Sequence, residues 1–350
     1  MVKSSNIMKG IFGLLVVSIL LFGVGCSKNA GDTSKIEDST TEDSVIIGVS
    51  FAGLHTARWS IERDIIISEA EKLGATVIFE SADLDADQQL SQAKNMILQG
   101  ADVLIVVAHD SEKAAAIVEE AHKAGIKVIA YDRLIKNSDL DYYMSFDNIK
   151  VGEYQAKGVL DVAPKGNIAY IGGSPTDNNA YLVRTGSYNI LQPKIDSGDI
   201  TIVLDEFHDG WKSQLAYQRI SDYLDNGGTL DGVVVANDGM AAGVIQALKE
   251  NNLDGKIPVS GQDAALTACR DIVAGTQTVT VYKPVKTLAK EATKIALSIA
   301  KNEAVTTNAI TNNGKIDVPS VLLDVVLVNK ANINDTVIAD GFYTLEDVYG

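Results

Sequence analysis

Arg58 and Trp59 stand side by side in the stretch LHTARWSIERD (residues 54–64), and the second of only two tryptophans, Trp211, lies in FHDGWKSQ. Residues with planar or charged polar heads recur elsewhere. Asp132 and Arg133 follow KVIAY; Asp177, Asn178 and Asn179 follow IAYIGG, with Arg184 further on; Asn237 follows VVVA, Asp263 follows VSGQ, and Lys283 follows TVTVY. Hydroxyl groups need donors and acceptors in pairs, and the C–H faces of a pyranose need flat apolar plates. Carboxylates, amides, guanidinia and two indoles together suit the grip on a small polyhydroxylated ring. Each residue alone also has a plainer reading. Trp59 is in helical phase with Ile66, Ala70 and Leu73, a core pattern. Arg58 and Arg133 could be surface ion-pair residues, the aspartates could cap helices, and Lys283, before Pro284, could be a solvated turn residue. What favours a site is their recurrence at one topological place.

Other chemistries leave little trace. The four histidines (His55, His109, His122, His208) show neither H-x-x-x-H nor H-E-x-x-H spacing, so no metal centre is expected. DLDADQQLSQAK opens like a calcium loop but lacks the glycine at its sixth position and the glutamate at its twelfth. No P-loop ending, G-x-G-x-x-G or G-x-S-x-G elbow occurs. The chain therefore reads as a binding protein rather than an enzyme, with no cofactor.

The elements that must position these residues alternate strand and helix. VIIGVSF (45–51) reads as a strand, followed by the Ile66–Leu73 stripe that ends at Gly74. TVIFES, DVLIVVA and KVIAYD follow with helical patterns between them, Ala114, Ile117, Val118 and Ala121 falling at i, i+3, i+4 and i+7. The alternation restarts after YYMSFDN (142–148) with NIAYIGG, ITIVLDEF, GVVVAN and KIPVSGQ. TVTVYKP then leads into a helix with Leu288, Ala292, Ile295 and Ile299, and VPSVLLDVVLVN comes late in the chain. Near-continuous apolar strands between amphipathic helices mean α/β architecture, parallel sheets covered on both faces. Two doubly wound lobes accommodate so many strands better than one very large sheet. Crossings near Ser145–Asn148, Lys283–Val285 and Pro319–Asp324 would join the lobes as a three-segment hinge over a cleft. The expected division is residues 45–147 plus 284–320 for the first lobe and 148–283 plus 321–350 for the second. In open α/β sheets ligands collect beyond the carboxyl ends of the strands, where the polar residues above stand.

The N-terminal segment does not belong to this globule. Lys3 and Lys9 precede the 14-residue apolar run IFGLLVVSILLFGV (11–24) and then GCSKNA. That is the layout of a signal peptide, and the run is short for a permanent membrane span. Residues 1–25 are read as a lipoprotein signal with Cys26 as the lipidated residue, although Gly23 departs from the leucine usual there. Residues 26–44 follow as an acidic tether, too poor in apolar groups to offset the entropy of ordering. With Cys26 lipidated, Cys269 has no partner for an intramolecular bridge, and its apolar helical neighbours make it a core residue. A net charge of −16 argues against nucleic acid or anionic lipid as partners.

Taken together, ARWSIERD, VIAYDRLI, SFDNIKVGEYQAKG, GGSPTDNNAYLVRTG, DGW, VANDGMAAG, SGQDA and AGTQTVTVYKP resemble the xylose-binding branch of the ribose/galactose-type periplasmic-binding family of ABC sugar transporters. The resemblance covers essentially all of residues 45–350. It implies the type I periplasmic-binding fold, a sugar between Trp59 and Trp211, and hydroxyls held by Arg58, Asp132, Arg133, Asn179, Arg184, Asn237, Asp263 and Lys283. It further implies a monomeric receptor for D-xylose, with other aldopyranoses as further candidates. Such a receptor would be tethered to the outer face of the cell membrane through its lipid alone and would deliver its sugar to an ABC permease. A membrane sensor kinase is the alternative partner, because the ligand residues would be the same. A transcriptional repressor of similar fold would carry a basic helix-turn-helix where this chain has a signal segment and an acidic tether.

Overall fold

The computed structural model describes residues 44–350. The readings made for residues 1–25, for Cys26 and for the tether up to residue 43 lie outside the described residues.

The first series runs β1 (Ile46–Phe51), α1 (Ala57–Lys72), β2 (Thr76–Ser81), α2 (Ala86–Leu98), β3 (Val103–Val107), α3 (Ala115–Lys123), β4 (Lys127–Tyr131) and β5 (Tyr142–Phe146). The second runs α4 (Asn148–Leu160), β6 (Gly166–Gly172), α5 (Asn178–Asp196), β7 (Ile200–Phe207), α6 (Ser213–Asp225), β8 (Gly232–Val235), α7 (Asp238–Glu250), α8 (Leu266–Ala274) and β9 (Val279–Tyr282). Then α9 (Val285–Ala300), β10 (Ala309–Asn312) and β11 (Asp317–Leu323) return to the first series, and β12 (Val326–Asn329) and α10 (Leu345–Tyr349) to the second.

The first sheet has the order β10-β11-β5-β4-β3-β1-β2 and is parallel except for β10. Its interior strand β3, VLIVV, is buried at every position, as a strand covered on both faces must be. Helices α2 and α3 cover one face, α1 and α9 the other. The second lobe holds the parallel trio β7-β6-β8 and the antiparallel pair β12-β9. The chain is thus two doubly wound lobes joined by three segments.

Several details differ from the sequence reading. KIPVSGQ forms only a single bridge to β8, Val233 to Val259, and from there runs on beside β9, where Val281 N–H donates to the Gly261 carbonyl at 3.1 Å and Asp263 N–H to the Val281 carbonyl at 2.9 Å. YYMSF, read as the point of restart, is itself strand β5. VPSVLLDVVLVN splits into β11 and β12: β11 holds to β5 as far as Leu323, opposite Phe146, so the third crossing falls at Asp324–Val325. Helices α4 and α5 approach at Gly152 and Gly186, where a Cβ would overlap the carbonyls of Val183 and Ile149. Glycine at both places permits this close crossing. Cys269 is fully buried in the second lobe.

Candidate functional site

Nine of the ten expected ligand residues line one pocket between the lobes, with about 340 Å³ of empty space including its open side. Each stands just beyond the carboxyl end of a strand. Arg58 and Trp59 are the second and third residues of α1; Asn179 is the second of α5; Asn237 caps α7, its Oδ1 accepting from the Met240 N–H at 2.8 Å. Asp132, Trp211 and Asp263 take φ of 62°, 57° and 94°. A tryptophan in the left-handed region is a true outlier, and such strain gathers where chain direction serves a site.

Charges inside the pocket are paired across the cleft. Arg58 donates from Nε to Glu62 Oε1 at 2.5 Å, from Nη2 to Asp132 at 2.9 Å and from Nη1 to Asp263, on the opposite lobe, at 3.3 Å. Lys283 Nζ lies 3.1 Å from the same Asp263 oxygen. Arg133 Nε lies 2.8 Å from Asp177 Oδ2 across the cleft, but its N–H is not aligned on that oxygen. Asn179 donates to the Asp132 carbonyl at 3.0 Å and to its Oδ1 at 3.1 Å. Burial works against ionisation of Asp132, yet Arg58, Lys283 and Arg133 hold its carboxyl below the usual range. At Asp177 burial outweighs Arg133 and pushes the carboxyl up. Buried carboxylates facing guanidinia and an ammonium make strong, directional partners for hydroxyl groups.

The two tryptophans serve different walls. Trp211 donates its indole N–H to Asp177 at 3.1 Å, and its six-membered ring lies so close over Gly173 that a Cβ there would overlap it. Trp59 packs edge-to-face on Phe51 at 5.6 Å and belongs to the main core cluster, while the Arg58 guanidinium carbon sits 4.3 Å from its ring centroid. Trp59 is therefore a core residue and a pocket residue at once, and its helical phase was a faithful signal of the first role. Asp177 likewise both caps α5, accepting from the Asn179 N–H at 2.9 Å, and takes part in the pocket. No helix follows Asp132, and Asp263 does not cap α8, whose N-cap position is Ala265.

The expectation for Arg184 is not met. Its Nε donates to Asp205 Oδ1 at 3.0 Å, its Nη2 pairs with the other oxygen, and the guanidinium lies 4.1 Å from the Tyr188 ring. The reason is helical geometry. Five residues beyond Asn179 on α5, Arg184 is rotated by about 140° and set back by about 7.5 Å, away from the cleft.

Residues outside the expected set also reach the site. Thr56 and Gln262 line the pocket. Gln262 donates to the Ala236 carbonyl at 2.6 Å, and its buried Oε1 has no acceptor role among the described residues. Glu62 and Tyr131 lie beneath Arg58, both fully buried. The i, i+4 spacing of Arg58 and Glu62 is a signal for that contact in the sequence; nothing local marks Gln262.

Comparison with known proteins agrees with this architecture. A family model described as "Periplasmic binding protein domain" matches residues 47–304. The D-xylose-binding periplasmic protein of Haemophilus influenzae is 49% identical over 304 residues, 87% of this chain and 92% of that protein. Its Escherichia coli counterpart is 46% identical over 85% of this chain and 91% of that protein. Among solved structures, an ABC transporter solute binding protein from Clostridium phytofermentans with bound β-D-glucose superposes with a TM-score of 0.80 at 29% identity, covering 87% of this chain and 99% of that one. The family model spans most of the sequence and the relatives are matched nearly end to end: the chain belongs to the periplasmic binding protein family.

Proposed function

We propose that this protein is an extracytoplasmic receptor that binds D-xylose between its lobes and hands it to an ABC sugar importer. One observation carries the reading: two indoles, three acids and three bases from both lobes converge on a single small pocket. The identity to proteins named for D-xylose binding supports the choice of pentose. Arg58, Asp132, Arg133, Asn179, Asn237, Asp263 and Lys283 are the hydroxyl partners in this reading, and Trp59 and Trp211 the flat walls. Several charge-assisted hydrogen bonds at roughly 1.5–3 kcal/mol each reach the roughly −8 kcal/mol of a micromolar dissociation constant after the cost of immobilising the sugar. Calorimetric titration tests it: D-xylose should bind stoichiometrically, in the micromolar range or tighter. A flat titration with xylose alongside clear binding of another sugar would reassign the ligand.

Residence at the membrane through Cys26 belongs to the same proposal, supported by the leader and the cysteine after Gly25. Expressed in its native cell, Cys26→Ala should leave the membrane fraction for the medium. Full retention of the variant on membranes would remove the lipid anchor from the proposal.

A further inference from the structure

Glu62 lies one turn along α1 from Arg58, is completely buried and does not line the pocket. Its Oε1 accepts from Arg58 Nε at 2.5 Å, and its Oε2 accepts from the hydroxyl of Tyr131, itself fully buried at the end of β4. The sugar pocket already balances without it: the cations Arg58, Arg133 and Lys283 face the acids Asp132, Asp177 and Asp263. Glu62 is a fourth acid, and a buried carboxylate is costly unless it is hydrogen-bonded and paired. Its two oxygens serve only Arg58 and Tyr131 among the described residues.

The arrangement has a geometric consequence. A guanidinium is a planar fork whose donors point in fixed directions. With Nε held on Glu62, the other edge is set toward Asp132 on its own lobe and Asp263 on the opposite lobe. Released from Glu62, the fork could rotate, and its outer edge would lose the fixed placement against those two carboxylates. We propose that Glu62, oriented by the Tyr131 hydroxyl, is the positioning residue of the sugar site, holding Arg58 by Nε so that its outer edge keeps a fixed direction toward Asp132 and Asp263, the groups that ligand hydroxyls would meet. This rests on the sugar-binding reading above.

Glutamine at position 62 keeps the size of the side chain, replaces the charge-assisted hold on Arg58 by a weaker neutral acceptor, and leaves the three-to-three charge balance, so Glu62→Gln should fold. A double-mutant cycle with Arg58→Lys separates positioning from general damage. Calorimetry with D-xylose should show Glu62→Gln about tenfold weaker than wild type, with a melting temperature close to it. In the Arg58→Lys background, Glu62→Gln should cost no further affinity, since no fork remains to orient. Tyr131→Phe, which keeps the ring, should weaken binding by a smaller factor and also lose its effect in that background. Wild-type affinity in Glu62→Gln, or losses that multiply in the double variant, would overturn the proposal. Should Glu62→Gln fail to fold, Tyr131→Phe decides by the same cycle. If wild type itself binds neither xylose nor a related sugar, the underlying reading falls and this inference with it.

Discussion

Trp211 shows how a single side chain is made ready for a ligand. Its indole N–H is tied to Asp177 and its ring lies on the bare backbone of Gly173, so one face is supported and the ring is oriented. Truncation to alanine should remove that wall and weaken xylose binding by about 1–3 kcal/mol, roughly 5- to 150-fold. Gly173→Ala should act through the same ring, because the new methyl must displace it, and calorimetry should show a loss in the same direction. The contrast is Arg184, partly exposed and paired with Asp205. Arg184→Ala should change xylose affinity less than twofold and stability by no more than about 1 kcal/mol; a tenfold loss of affinity would return it to the site. Sequence made the polar residues visible by type and by place after strands. It could not separate Arg184 from Asn179, since both follow the same strand and only the phase of α5 puts one inside.

At the scale of elements, the second lobe depends on Asp238, the first residue of α7. Its carboxyl accepts from the Ala265 N–H at 2.8 Å, from Gln277 at 2.9 Å and from Thr280 at 2.9 Å, tying α7 to the start of α8 and to β9. Burial, reinforced by Asp263, pushes its pKa up to about 8. A carboxyl whose folded pKa lies above its unfolded value contributes stability that is complete below the unfolded value and lost as pH rises through the folded one. His55, His109 and His208 run the other way, their pKa values lowered, chiefly by desolvation, below the ordinary histidine range, so they are neutral above pH 7. Between about pH 7 and 9 the melting temperature should therefore fall, and Asp238→Asn should flatten that slope. An equal slope in the variant would show that another group titrates. The strand–helix order was legible from apolar periodicity. The single bridge at Val259 was not, because an apolar run bounded by glycine reads the same whether it pairs over one residue or five.

For the whole molecule, the lobes meet through bonds that belong to neither alone. Besides Arg58 with Asp263 and Arg133 with Asp177, Ser111 N–H donates to the Thr176 carbonyl at 2.9 Å and Asn178 N–H to Ser111 Oγ at 3.0 Å. These join the loop after β3 to the loop after β6 at the rim of the cleft. A ligand touching both walls adds to this set only when the lobes are together, so it shifts the population toward the closed form. Small-angle scattering should show a smaller radius of gyration with saturating xylose than without it. An unchanged profile at saturation would mean that the lobes do not move.

The sequence by itself determined the α/β class, the paired lobes and the polar rim, because these follow from periodicities and residue types that do not depend on distant contacts. It also pointed to nine of the twelve residues that line the pocket as ligand residues, through their place after strands and through the family resemblance. Tertiary structure decided the rest. That Trp59 lines the pocket as well as the core has no local answer, since the pocket it shares with Trp211 and Asp263 exists only where the two lobes face each other. The support of Trp211 by Gly173 and the reach of Arg58 to Asp263 likewise depend on distances between groups brought together from remote parts of the chain. Such distances are set by how the lobes pack and face one another, and no window of sequence contains them.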